Sequence, residues 1–285
     1  PICVDAPTVD EMVAIGAAIA PTFGGINLED IKAPECFEIE RRLQKMLDIP
    51  VFHDDQHGTA IVVLAAVMNA AKVIGRSLSD LRVVVVGTGA AGVACSRLLH
   101  ESGIGDIIGV DSRGVLSADR EGLNPTKQWF VDHGNRAGVT GGVREALAGA
   151  DVLLGLSGPG VIEPEWLGDM ADGAVVFALA NPVPEIMPEL VPPNVAVIAT
   201  GRSDYPNQIN NVLAFPGVFR GLLDVRATKA TDGIKVAAAS ALAAMVPEPT
   251  ADRIIPGAFD EGVAEVVAFA VARAAEAEGL ARDDA

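Results

Sequence analysis

Two acidic stretches carry the chemistry that is legible in this chain. Glu29-Asp30 follows the apolar Ile26-Asn27-Leu28, and Asp54-Asp55 stands inside Phe52-His53-Asp54-Asp55-Gln56-His57-Gly58-Thr59-Ala60. Each places carboxylates beside residues that should be partly buried. Ionised carboxylates are costly to bury unless positive charge compensates them. A hard divalent cation does so, and Glu29, Asp30 and Asp55 offer the oxygen ligands that Mg²⁺ or Mn²⁺ prefers. His53 and His57 flank the second pair. No cysteine partners them, and carboxylates outnumber imidazoles, so zinc is not the expectation. Glu35, Glu38 and Glu40 read as a solvated helix face.

A second constellation is Gly87-Thr88-Gly89-Ala90-Ala91-Gly92, directly after the Val-rich Leu81-Arg82-Val83-Val84-Val85-Val86. A glycine pattern of this kind is weak alone. Here it joins a strand to a helix and precedes, by one βα unit, the acidic Asp111 at the end of Ile107-Ile108-Gly109-Val110, as a dinucleotide fingerprint requires. Gly87 permits the tight turn, Gly89 lets the backbone approach a pyrophosphate, and Gly92 allows close helix–strand packing. The helix N-terminus then faces the phosphates. Asp111 is placed to accept from a ribose diol, which favours NAD, whereas Ser112-Arg113 follow at once and Arg113 suits a 2′-phosphate. NAD and NADP both stay open. Ser157 and Gly158, after a later strand, lie where loops meet a bound dinucleotide. Asn181 and Asn211 also follow structured segments, where an amide can donate to a carboxylate or carboxamide, or simply close a turn.

The surrounding elements are those of a parallel α/β protein. The 285 residues suffice for one large or two ordinary domains, half of them are hydrophobic, and only 4% are aromatic. Ile2 to Val4 reads as a strand, Thr8 as the N-cap of a helix, and Ile26 to Ile31 as a second strand. Pro34 opens a helix through Leu47, and Thr59 to Ile74 forms a long, nearly uncharged helix that should be buried. Strands at 81–86, 107–110, 152–154, 175–177 and 195–198 alternate with helices, and three helices follow Asn210. The predicted fold is therefore a Rossmann-like, doubly wound parallel sheet, plus the remainder of a smaller α/β metal/substrate domain. The expected division assigns residues 54–210 to NAD(P) binding, and 1–53 with 211–285 to metal and substrate.

A net charge of −17 repels phosphate backbones and argues against nucleic-acid binding. No apolar run approaches the roughly 18 residues of a membrane span. The three cysteines Cys3, Cys36 and Cys95 lack any zinc spacing, and read as reduced core thiols of a cytoplasmic protein.

Residues 23–37, running Phe23-Gly24-Gly25-Ile26-Asn27-Leu28-Glu29-Asp30 to Pro34-Glu35-Cys36-Phe37, together with His53-Asp54-Asp55-Gln56-His57-Gly58-Thr59-Ala60, resemble the bacterial malic enzymes. Ala180-Asn181-Pro182, Asn210-Asn211-Val212 and Phe215-Pro216-Gly217-Val218 fit the same family in the same order. The resemblance runs over essentially the whole chain. It implies oxidative decarboxylation of (S)-malate to pyruvate and CO₂, with NAD or NADP and with Mn²⁺ or Mg²⁺. It also implies metal ligation by Glu29, Asp30 and Asp55, a supporting part for Asp54, and substrate or nicotinamide contacts from Asn181 and Asn211. A homodimer or higher homo-oligomer is implied for the complete protein.

The family's acid/base tyrosine and lysine come from a segment N-terminal to the point where this sequence starts, so no catalytic proton-transfer residue is assigned. Tyr205 is the only tyrosine, and Lys32, although near the metal motif, reads as solvent-facing. The competing expectation is a non-catalytic or degenerate dinucleotide-binding homologue. Another hydroxy-acid dehydrogenase on the same fold would explain the glycine loop but not the paired acids.

Overall fold

Thr8 caps the first helix reciprocally. Its hydroxyl accepts from the Glu11 amide while the Glu11 carboxylate accepts from the Thr8 amide, starting α1 (Val9–Ile19). The computed structural model describes residues 1–282. Residues 2–4 form no strand and Ile2 is exposed; among the described residues no strand pairs with them. Next come β1 (Ile26–Leu28), α2 (Glu35–Met46) and β2 (Val51–His53), with β1 and β2 paired in parallel as a two-stranded sheet. Val13, Leu28, Ile39, Leu43 and Val51 bury a small core among these elements.

The long apolar helix, α3 (Asp54–Val73), begins earlier than its apolar run, so that Asp54 and Asp55 occupy its first turn. The placement suits the positive end of the helix dipole. The helix continues fully buried from Ala60 to Val67.

The main sheet follows: β3 (Arg82–Val86), α4 (Ala90–Glu101), β4 (Asp106–Asp111), β5 (Gly114–Val115), α5 (Pro125–His133), α6 (Val143–Leu147), β6 (Val152–Gly155), α7 (Pro164–Leu167), β7 (Ala174–Ala178) and β8 (Val195–Thr200). Its six strands run in the order β5-β4-β3-β6-β7-β8, all parallel except β5. Strand order reverses between β3 and β6, and the crevice at the carboxyl ends of those two strands is where a doubly wound sheet takes its ligand. The two-residue β5 carries too little apolar periodicity to be read from sequence.

The chain ends in α8 (Phe215–Asp224), α9 (Asp232–Ala244) and α10 (Val263–Ala277). These helices bury Val218, Leu222, Ala238, Leu242, Val267 and Val271 in the same core as α3 and the sheet, not in the small core around β1 and α2. Among the described residues, no helix is long and apolar enough to cross a membrane. Cys36 and Cys95 are buried and unpaired, with burial pushing the Cys36 thiol up to about 11, whereas Cys3 is exposed and not part of any core.

Candidate active site

The glycine loop at the end of β3 is built as its spacing predicts. Gly87 adopts a φ of 104°, and a Cβ there would lie 2.2 Å from the Leu156 carbonyl oxygen. A Cβ on Gly92 would lie 1.9 Å from the Gly87 carbonyl, so the turn and the first turn of α4 can only pack glycine on glycine. Gly89 differs: it caps α4 without a side chain, and a Cβ there would meet nothing within 4 Å. The cradle in front of the α4 amides is therefore open where a pyrophosphate would approach, and the residues 87–92 fit a dinucleotide.

Asp111 ends β4 as expected, but its carboxylate is already engaged. Arg120 donates to both oxygens at 3.1 and 3.0 Å, Lys127 Nζ donates at 2.6 Å, and the Arg113 amide donates at 2.9 Å. Burial would raise its pKa, yet these donors hold it well below the usual carboxylate range. Four donors fill the acceptor sites of one carboxylate. Arg120 and Lys127 are functional candidates that the sequence did not single out. Both lie beyond β5, and only the strand's turn brings them back. Ser112 and the side chain of Arg113 are exposed.

The acidic cluster gathers at the carboxyl ends of β1 and β2. Asp30 turns at a φ of 54°, and its amide donates to Asp55 Oδ2 at 3.2 Å, which brings the two segments together. Asn27 donates to Glu29. Asp54 is buried, with one oxygen accepting from Asn211 Nδ2 and the other, Oδ1, without a hydrogen-bond partner. Burial, then the Glu29 and Asp55 carboxylates, push its pKa up to about 7 against the Asn211 bond. Gly58 makes room for this arrangement, since a Cβ there would sit 2.0 Å from Asp54 Oδ1. His53 Nε2 lies 3.3 Å from the Ile31 carbonyl, which assigns that nitrogen the proton. Its buried Nδ1 has no hydrogen-bond partner and lies 3.9 Å from Asp55 Oδ2.

Mutually repelling carboxylates and a buried acceptor without a donor fit a hard cation. Among the described residues, no three His, Cys, Asp or Glu side chains converge into a set that could hold a metal ion. The Tyr205 hydroxyl donates to Glu189, and Lys32 is solvent-exposed beside Glu35, 3.7 Å away.

Two further sequence-predicted positions lie in the loops after β6 and β7. Ser157 and the exposed Asn181 follow the two strands, and Asn181 precedes a cis Pro182. Glu40 is a correction to the sequence reading: it is 6% exposed, not solvated, and accepts from His57 Nε2 and Gln56 Nε2. A cavity of about 860 Å³, lined in part by Glu40, His57, Arg97 and Lys235, contains none of the expected metal or cofactor residues.

Comparison with known families matches residues 56–276 to "Malic enzyme, NAD binding domain" and residues 5–44 to "Malic enzyme, N-terminal domain". An NAD-dependent malic enzyme of Geobacillus stearothermophilus is 52% identical over 286 residues, covering 100% of this chain and 60% of that protein. An NADP-dependent malic enzyme of Escherichia coli is 46% identical, over 98% of this chain and 39% of that protein. The solved malic enzyme of Pyrococcus horikoshii superposes with a TM-score of 0.95 at 48% identity, covering 100% of this chain and 68% of that one. The chain thus spans 60% or less of the length of these two sequence relatives.

Proposed function

The chain belongs to the malic enzyme family, and from that premise we propose that it carries the metal-, substrate- and cofactor-binding parts of an NAD(P)-dependent oxidative decarboxylase acting on (S)-malate. The observation that carries this reading is Asp54, a buried carboxylate that feels the charges of Glu29 and Asp55, with one oxygen held by Asn211 and the other without a partner. A fold that served only to bind a dinucleotide would have no use for such a cluster. The names of the relatives favour an enzyme over a non-catalytic homologue.

In this reading Glu29, Asp30 and Asp55 hold Mg²⁺ or Mn²⁺, and Asp54 supports them. A divalent cation supplies Lewis-acid stabilisation of the negative charge that develops on the substrate as CO₂ departs, and the nicotinamide supplies the hydride acceptor. The amides at the start of α4 bind the cofactor phosphates, with Gly89 open to them. Residues 111–113 face the adenosine ribose, and Ser157 and Gly158 flank the nicotinamide half. Asn181 and Asn211 orient the substrate carboxylate or the nicotinamide amide. Asn211 does so from a side chain already braced on Asp54. No residue of the chain is assigned the proton-transfer step. A cytoplasmic setting and a homo-oligomeric complete protein belong to the same proposal.

The test is malate-dependent formation of reduced-cofactor absorbance by the complete gene product, with Mn²⁺ and with NAD and NADP in parallel. Product from either cofactor supports the reading. No malate-dependent signal with either one overturns it.

A further inference from the structure

Glu185 is fully buried, and no lysine, arginine or histidine pairs with it among the described residues. A buried carboxylate is costly unless strong donors compensate it. Here the donors are main-chain amides of two different loops. Oε1 accepts from the Ser157 amide at 2.8 Å, with the Ser157 hydroxyl at 3.4 Å, and Oε2 accepts from the Ala180 amide at 3.0 Å. One carboxylate thereby ties the loop after β6 to the loop after β7, one residue before Asn181. The Glu185 carbonyl adds a third hold, accepting from the Ile162 amide at 3.3 Å.

The strand is shaped to admit this side chain. Gly155, the last residue of β6, has no Cβ, and one placed there would lie 2.7 Å from the Glu185 carboxyl carbon. The neighbouring Leu156 amide bonds the Val86 carbonyl, and the Leu156 carbonyl packs against Gly87, so the clamped loop rests on the glycine turn of β3.

We infer that Glu185 is a positioning residue that fixes the spacing between Ser157 and Asn181, and so shapes the half of the site that receives the nicotinamide. The inference rests on the cofactor reading above. Glu185 reaches the site only through the two loops it joins. Its loss should be felt by the nicotinamide half of a dinucleotide and not by the adenosine half, which is held at residues 87–92 and 111–113.

The test compares NADH with ADP-ribose, and NADPH with 2′-phospho-ADP-ribose, by equilibrium binding to the wild-type chain and to Glu185→Gln. The substitution keeps the shape but turns one acceptor into a donor facing a main-chain amide, leaving a buried N–H without a partner. The expected result is an affinity loss of about tenfold for the reduced dinucleotide, with the nicotinamide-free ligand changed by less than about twofold. Gly155→Ala, which displaces the carboxylate without removing it, should give the same signature, and it decides the matter if Glu185→Gln does not fold. Equal losses for both ligands, or no loss for either, overturn the inference and leave the cofactor reading standing. A wild-type chain that binds neither reduced dinucleotide overturns the cofactor reading, and the inference with it.

Discussion

Glu40 of α2 accepts a hydrogen bond from Nε2 of His57 on α3 at 2.7 Å, and the Glu40 side chain is only 8% exposed. The pair links the small core to the helix whose first turn carries Asp54 and Asp55. Burial would raise the Glu40 pKa, but His57 and the nearby Lys235 overcome it and hold the group below its ordinary value. Burial and Lys235 keep His57 low as well, so a neutral imidazole donates to an ionised carboxylate.

Glu40→Ala should therefore destabilise the chain by about 2 kcal/mol at neutral pH, the scale for leaving a buried donor without its acceptor. The sign with pH follows from the lowered carboxylate. Its contribution is present above the unfolded-state pKa, near about 4.3, and is lost as pH falls through the lower folded value. Urea midpoints of wild type and variant should thus converge on acidification. A gap that stays constant from neutral to acidic pH would show that Glu40 contributes packing alone.

Gly89 and Gly92 separate affinity from stability. Gly89→Ala adds a methyl where there is open space, so the unfolding midpoint should hardly move while NADH or NADPH binding weakens. Gly92→Ala drives a Cβ against the Gly87 carbonyl, at 1.9 Å if nothing shifts, and should cost several kcal/mol of stability. Thermal unfolding and dinucleotide titration of both variants check the contrast. Loss of stability in Gly89→Ala, with binding intact, would contradict it.

At the acidic cluster, Asp55→Asn should lower Mn²⁺ affinity of the chain by at least about tenfold, read by calorimetry or electron paramagnetic resonance. The asparagine oxygen can still accept from the Asp30 amide, so the local turn should persist. Asp54 feels charge repulsion from Asp55, and removing that charge should leave metal-free stability equal or higher. Weaker metal binding without loss of stability is the signature of a site residue. Unchanged Mn²⁺ affinity would remove Asp55 from the ligand set.

The parts of this site that depend on local spacing were legible in the sequence. The glycine turn and Asp111 stand at the ends of β3 and β4 as their spacing implies, the two acidic stretches directly follow β1 and β2, and the β-branched runs became the parallel strands. What escaped depends on contacts between distant segments. Glu40 has a helical spacing that suits solvent, and only the approach of α3 buries it. Glu185 lies in a Pro-rich loop with no periodicity, and its amide donors lie 28 and 5 residues away. Residues 2–4 have strand-forming side chains, but among the described residues no strand pairs with them, so propensity there has nothing to act on.

Lys127 and Asp111 decide the last prediction, the choice between NAD and NADP. Asp111 can chelate a ribose diol only through acceptor sites that are now taken by Arg120, Lys127 and the Arg113 amide. Lys127→Ala removes the 2.6 Å contact, frees one acceptor site on Oδ2 (which still accepts from Arg120) for the diol, and deletes a cation that would otherwise attract a 2′-phosphate. Both effects act in one direction. The ratio of NADH to NADPH affinity should therefore rise by about tenfold, corresponding to about 1.4 kcal/mol. Arg113→Ala leaves the Asp111 network intact, because only the Arg113 main-chain amide takes part. It should weaken NADPH alone if its exposed guanidinium meets the phosphate. Dissociation constants for both cofactors, measured at low and high salt, distinguish these cases. A ratio that moves in neither variant would place the discriminating contacts outside the Asp111 cluster.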